Sequence, residues 1–256
     1  MLLAIDIGNT HTVFGIWDGL AWAETWRRST SVDATEDELA SWFSALRDFR
    51  KLSEPITDIV CASVVPAANA AISLFAKKWL CLPVRYLISG DSVGLTVTYQ
   101  PPSAVGADRL ANALGALARW SPPIVVVDFG TATTFDVIDE KGHYVGGAIL
   151  PGVILSSQAL FSRAAKLPSV EFTAPEHAIG RTTPQSLQAG IMFGYAGAVD
   201  ALAARISAEL PTPPKIISTG GLGGLFVGLC SRLESYEPTL TLDGLVVASS
   251  RLCYAE

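Results

Sequence analysis

Basic residues are scarce and dispersed. Eighteen Lys and Arg against 24 Asp and Glu leave a net charge of −6 over 256 residues, with no basic cluster anywhere in the chain. A nucleic-acid surface works by clustered cations that displace counterions, so nucleic acid is excluded as the main partner. Cysteine is thin as well: Cys61, Cys81, Cys230 and Cys253 share no paired short spacing. That pattern argues against a disulfide framework and against zinc, and it leaves four reduced thiols expected to be largely buried as small hydrophobes. His11, His143 and His177 lie far apart and lack metal-ligand spacing. Half the residues are hydrophobic, yet the richest run, 145–161, is broken by Gly146, Gly147, Pro151, Gly152 and three polar residues, so no membrane span is expected. Met1 leads directly into an apolar stretch with no basic segment before it, which gives no sign of a secretory leader and makes the cytoplasm the expected location. Familiar catalytic signatures are missing too. No Lys stands in a Gly-rich turn, Phe226 occupies the last position of a would-be G-x-G-x-x-G at Gly221, and neither G-x-S-x-G nor H-E-x-x-H occurs.

What is present is a repeated turn. The apolar residues Leu2, Leu3, Ala4 and Ile5 run into Asp6-Ile7-Gly8-Asn9-Thr10, and Thr12-Val13-Phe14-Gly15-Ile16 follows. This spacing predicts a buried strand, a glycine turn and a second strand, with a carboxylate at the bend. Glycine beside small polar residues lets backbone N–H groups approach an anion, which suits a phosphate cradle. The pattern returns at Asp128-Phe129-Gly130-Thr131-Ala132-Thr133-Thr134, behind the apolar run Ile124-Val125-Val126-Val127. Two copies about half a chain apart predict a duplicated domain, residues 1–117 and 118–256, with a cleft between the copies.

Each half reads as a mixed sheet with helical crossovers. In the first half a third strand is expected over 21–28, and the capping box Thr35-Glu36-Asp37-Glu38 opens a helix whose Leu39, Trp42, Phe43, Leu46 and Phe49 face a core. Strands are expected over 58–65 and 84–88, with a helix from Pro66 to about Leu80. A looser stretch ends in Gly106-Ala107-Asp108-Arg109, where an amphipathic helix begins and puts Asp108 near its positive dipole end. In the second half strands are expected over 123–128, 133–139, 144–149 and 215–218, and helices from about Pro151, from Pro184 and over 242–254. Thr219-Gly220-Gly221-Leu222-Gly223-Gly224 forms a further turn fit for close approach to a ligand.

Three acidic residues at element ends, Asp6, Asp108 and Asp128, beside Gly and Thr turns, are the parts that phosphoryl transfer uses: backbone donors for phosphates, carboxylates for cations, and one carboxylate to orient the attacking hydroxyl. The sequence resembles the type III pantothenate kinases of the acetate kinase, sugar kinase, Hsp70 and actin superfamily. The resemblance is carried by the 6–10 and 128–134 turns, Tyr99 with the 106–109 block, Gly146-Gly147-Ala148-Ile149-Leu150-Pro151-Gly152, Gly180-Arg181-Thr182-Thr183 and Thr219-Gly220-Gly221. Thr182 departs from the Asn usual in that family.

The resemblance implies two actin-like (ribonuclease H-like) ATPase domains, each a mixed five-stranded sheet with flanking helices. It implies ATP-dependent phosphorylation of pantothenate, with Mg²⁺ and a monovalent cation, potassium or ammonium, in a cytoplasmic homodimer. By position, Asp6, Ile7, Gly8, Asn9, Thr10, His11, Thr12 and Val13 would bind the ATP phosphates, Asp6 near Mg²⁺, and Thr131 would contact ATP. Asp128 would bind the monovalent cation, while Tyr99, Gly106, Ala107, Asp108, Arg109 and Thr183 would bind pantothenate, with Asp108 as the general base. Arg109 suits either the pantothenate carboxylate or the transferred phosphoryl group. The rival readings are another phosphotransferase or phosphohydrolase of the superfamily, which would not need Tyr99 or the 106–109 block, and a non-catalytic regulatory relative.

Overall fold

The computed structural model describes residues 1–164 and 167–253. Two compact units form: residues 1–118 with the C-terminal segment from Thr241, and residues 119–240.

The first unit is built on strands β1 (Leu2–Ile7), β2 (His11–Trp17), β3 (Trp22–Ser29), β4 (Asp58–Ser63) and the short β5 (Arg85–Tyr86), in the order β3-β2-β1-β4-β5. β1 pairs antiparallel with β2 and parallel with β4. Leu3, Ile5 and Ile7 project into a core shared with Phe14, Ile59, Phe43 and Phe75, the last two from helices α1 (Glu36–Phe49) and α2 (Pro66–Phe75). The Thr35–Glu38 capping box forms as expected. Phe49 does not join the core: it is 81% exposed, because it is the last residue of α1, beyond the sheet-facing stripe of Leu39 and Phe43. After α2 the chain widens into a π-turn over Ala76–Leu80 and ends at Cys81 in the left-handed region. Helix α3 (Ala107–Arg119) has the expected amphipathic pattern, yet Arg109 to Ala116 are all buried, the polar Arg109 and Asn112 included.

The second unit repeats this plan. Strands β6 (Ile124–Phe129), β7 (Ala132–Ile138), β8 (Tyr144–Pro151), β9 (Lys215–Thr219) and β10 (Ser235–Tyr236) form a sheet in the order β8-β7-β6-β9-β10, with the same pattern of parallel and antiparallel neighbours. Helices α4 (Val153–Arg163) and α5 (Thr183–Glu209) lie between β8 and β9. The short α6 (Gly223–Val227) and β10 were not legible in the sequence, being too short to show a period. On α5 the buried residues Ala189, Met192, Ala196, Val199 and Ala203 recur every three or four positions, and the last four pack into the core of this unit. By length and composition alone α5 is apolar enough to cross a membrane. Two of the four cysteines, Cys81 and Cys253, are exposed rather than buried.

The last helix, α7 (Leu240–Ser249), corrects the expected domain division: residues from Thr241 pack with the first unit, not with the second. The reason is local. Gly244 sits so close to α3 that a Cβ would come 1.8 Å from the Ala111 carbonyl oxygen. Trp22 donates to Asp243 (2.7 Å), and Arg85 pairs with Asp58 and donates to the Ser249 and Leu252 carbonyls at 2.6 and 2.7 Å. The expected closing helix ran to 254; Tyr254 lies outside the described residues.

Candidate active site

β1 carries Asp6 to the open end of the first sheet, opposite Val13 and beside Ala62, with its Oδ1 buried. The tip 8–10 is closed by Gly8 N–H donating to the His11 carbonyl at 3.0 Å. A Cβ on Gly8 would stand 3.1 Å from that oxygen, so the tip has room for little more than glycine. Asn9, Thr10 and His11 are exposed around it, while Thr12 is buried and Ile7 and Val13 continue the strands. Thr30, which carries no local signal in the sequence, staples this tip. Its hydroxyl donates to the Gly8 carbonyl (2.6 Å) and meets the Thr12 hydroxyl (2.9 Å), and its N–H donates to the Thr10 carbonyl (3.0 Å).

Val64 joins this tip to the Asp108 loop. Its N–H donates to the Ile7 carbonyl at 3.0 Å, and its Cγ1 faces Gly106, where a Cβ would come within 3.4 Å. That same Cβ would come 2.5 Å from Asp108 Oδ1, so the missing side chain of Gly106 lets the carboxylate fold back over the start of α3. There Asp108 Oδ1 accepts the Arg109 N–H at 2.8 Å. Burial pushes the Asp108 carboxyl above its ordinary value, against the opposing pull of the Arg109 N–H and the Arg109 charge. Ala107 and Arg109 are buried in the same turn. Tyr99 is half-buried in the preceding loop, before the cis Gln100–Pro101 bond.

In the second unit Asp128 occupies the position of Asp6, opposite Thr134 and beside Thr219. Three glycines converge on its turn. Gly130 N–H donates to the Ala132 carbonyl (3.1 Å), and Gly152 N–H donates to the Thr131 carbonyl (3.1 Å). Gly220, at φ +82°, lies against Asp128 so closely that a Cβ would be 2.3 Å from its Oδ1. Thr131 is exposed at the tip, while Thr133 is buried beneath it. The Tyr236 hydroxyl donates to the Gly220 carbonyl at 3.1 Å, and its ring covers Gly223 and Gly224.

Thr183 stands apart from that turn, at the first position of α5, beside an open hollow of about 530 Å³ that Arg181 and Thr182 also line. The N-cap is Thr182, accepting the Gln185 N–H at 3.4 Å. Gln185 Oε1 in turn accepts the Arg181 N–H at 3.0 Å. Thr and Asn are both good N-caps, so Thr182 keeps the local geometry that an Asn would supply.

These parts fit a magnesium nucleotide. In each unit a carboxylate at a strand end stands beside a glycine turn whose backbone N–H groups can approach phosphate oxygens. Among the described residues no group of three His, Cys, Asp or Glu could hold a metal by itself. Mg²⁺ bound through one or two carboxylates plus substrate phosphates needs no such group.

Duplicated five-stranded sheets with an acidic glycine turn at each central strand define an actin-like phosphotransferase fold. A similar fold, at 12% identity and a TM-score of 0.56, occurs in the activator of the 2-hydroxyisocaproyl-CoA dehydratase from Clostridium difficile with bound ADPNP, over 97% of this chain and 92% of that one. A sequence model of the type III pantothenate kinase family matches residues 2–205, and the chain belongs to that family. The chain is 45% identical to the type III pantothenate kinase of Desulfosudis oleivorans over 98% of its length and 99% of the relative's. It is 41% identical to that of Myxococcus xanthus, over 98% of each chain.

Proposed function

We propose that this chain transfers the γ-phosphoryl group of ATP to the primary hydroxyl of pantothenate, giving 4′-phosphopantothenate and ADP, the first step of coenzyme A biosynthesis. The observation that carries the reading is the Asp108 carboxylate, folded back through the space left by Gly106 and tied through Val64 to the Asp6 turn. In the transfer, the pantothenate oxygen forms a bond to the γ-phosphorus while the bond to the β,γ-bridging oxygen breaks, its electron pair leaving with ADP. The hydroxyl proton passes to Asp108. In a loose transition state this proton moves late, so Asp108 mainly orients the hydroxyl until the transfer is advanced.

Residues 6–13 hold the phosphates and Thr131 contacts ATP. Asp6 lies near Mg²⁺, which when bound neutralises charge on the phosphates. Asp128 holds potassium or ammonium. Tyr99, the 106–109 block and Thr183 bind pantothenate, and Arg109 receives its carboxylate or the phosphoryl group. Each unit acts as one actin-like domain, and the enzyme works in the cytoplasm as a homodimer. The dimer reading is supported by apolar surface on the second unit: Ile149 of β8, Ile154, Leu155 and Leu160 of α4 and Phe193 of α5 are exposed, and Gly190, Gly194 and Gly197 have no neighbour within 4 Å of a would-be Cβ.

ADP release from purified protein, with Mg-ATP and a panel of acceptor alcohols, in potassium and in sodium buffer, tests the reading. Turnover that requires pantothenate and falls in sodium is expected. Turnover indifferent to pantothenate would assign another acceptor or a hydrolase, and no turnover at all would favour a regulatory relative.

A further inference from the structure

The strand residues that flank the two phosphate turns correspond once register is followed, although the turns differ in length by one residue. Thr12 pairs with Ile7 at the end of β1, and Thr133 pairs with Phe129 at the end of β6. His11 pairs with Ser29, and Ala132 pairs with Pro151. The next residue along the third strand is therefore Thr30 in the first unit and Gly152 in the second. Both donate a backbone N–H to the tip, Thr30 to the Thr10 carbonyl and Gly152 to the Thr131 carbonyl. Thr30 also brings the hydroxyl that ties buried Thr12 to a main-chain carbonyl. Gly152 has no hydroxyl and no space for one, since a Cβ there would meet the Thr131 carbonyl oxygen at 2.4 Å.

The missing hydroxyl comes from α5. Tyr195 Oη lies 2.7 Å from Thr133 Oγ1 and 2.9 Å from the Pro151 carbonyl oxygen. A carbonyl only accepts, and a phenol has one proton to give. Both contacts hold together when Tyr195 donates to Pro151 and receives the Thr133 proton, the arrangement Thr30 makes with Gly8 and Thr12. The Tyr195 ring is fixed against Phe226 (5.4 Å), which stacks on Phe129 (4.8 Å) at the base of the turn. We infer that Tyr195 is a positioning residue for the second phosphate turn: through Thr133 and Pro151 it sets the tip that presents Thr131 to the nucleotide. The inference rests on the assignment of Thr131 to ATP made above. It also links that tip to the helix on which Thr183 stands.

Calorimetric titration of the whole protein with the ATP analogue AMPPNP and Mg²⁺ tests it without any acceptor. Tyr195→Phe keeps the ring and removes one hydroxyl; it is expected to weaken AMPPNP binding about tenfold, the range of one lost hydrogen bond. Thr133→Val is expected to do the same, and the double variant to be no weaker than the poorer single one, since both remove one contact. A purely structural tyrosine would lower the melting temperature and leave affinity unchanged, and that result in both single variants, or additive losses, would overturn the assignment. Wild-type protein that binds AMPPNP but does not phosphorylate pantothenate would overturn the acceptor reading and leave the role of Tyr195 standing.

Discussion

The two turns differ in where their support comes from. The first is stapled by Thr30, 22 residues from the Gly8 carbonyl that it binds, within a continuous run of three strands. The second is stapled by Tyr195, 62 residues from Thr133 and on another element. It is also one residue tighter, with tip residues 130–131 between paired strands against 8–10 in the first. A turn supported within its own meander forms with local structure. A turn supported from a distant helix depends on the packing of that helix, so on the proposed assignment of Thr131 to ATP, nucleotide binding at this turn would be coupled to α5. Duplicated topology thus conserves the carboxylate and the glycine while the hydroxyl staple comes from a different part of the chain.

The largest expected effect separates chemistry from architecture. Asp108→Asn should lower kcat by about 10²- to 10⁴-fold, the usual contribution of a general base, with AMPPNP affinity retained. Because burial raises the Asp108 pKa in the fold, the folded state holds its proton more tightly than the unfolded chain. Stability is therefore lost as pH rises from the unfolded pKa through the folded one, and the ionised form is the destabilised one at neutral pH. The Asn variant should melt no lower than wild type at pH 7, and its advantage should vanish on acidification below the ordinary Asp range. The acid limb of wild-type kcat should sit above that range as well, read from a pH–rate profile.

Next come paired glycine substitutions. Gly152→Ala forces a Cβ to within 2.4 and 2.6 Å of the Thr131 and Gly130 carbonyl oxygens, whereas Gly8→Ala meets one oxygen at 3.1 Å. Overpacking of the first kind costs about 1–3 kcal/mol, a melting shift of roughly 3–10 °C by calorimetry, and the second should cost well under half of that. Equal losses would erase the contrast between the turns. Smaller still, Thr30→Val should weaken AMPPNP binding about as much as Tyr195→Phe, by roughly tenfold, and Thr30→Ser should restore it, because the hydroxyl is the part of the side chain that bonds to the tip and the backbone N–H is kept in both variants. Smallest is Thr182→Ala, which removes the α5 N-cap at a cost of about 1 kcal/mol and should be rescued by Thr182→Asn in a thermal melt.

Much of this was readable in the chain. Both acidic turns, the Thr35–Glu38 capping box and the strands that reach the turns announce themselves through apolar runs, glycine and small polar residues. Gly106 beside Asp108 was named from its block, and the structure adds why a side chain is excluded there. The remainder depended on tertiary packing. Thr30 directly follows a strand that ends in Arg27, Arg28 and Ser29, and Tyr195 sits in a helix whose period signals only burial, so neither carries a local mark. The return of α7 to the first unit rests on Gly244 against Ala111 and on Arg85, contacts between segments more than a hundred residues apart. Phe49 followed the helical period and still ended outside the core, since period gives a face and not the extent of the sheet beneath it.

The most direct test is to identify the product. Purified protein incubated with Mg-ATP and pantothenate should yield a phosphomonoester on the primary hydroxyl of pantothenate, seen by phosphorus NMR and by mass. The Asp108→Asn protein should form it at least about 100-fold more slowly while binding AMPPNP as well as wild type does. ADP without phosphorylated pantothenate, or a near wild-type rate in the Asn variant, would contradict the account.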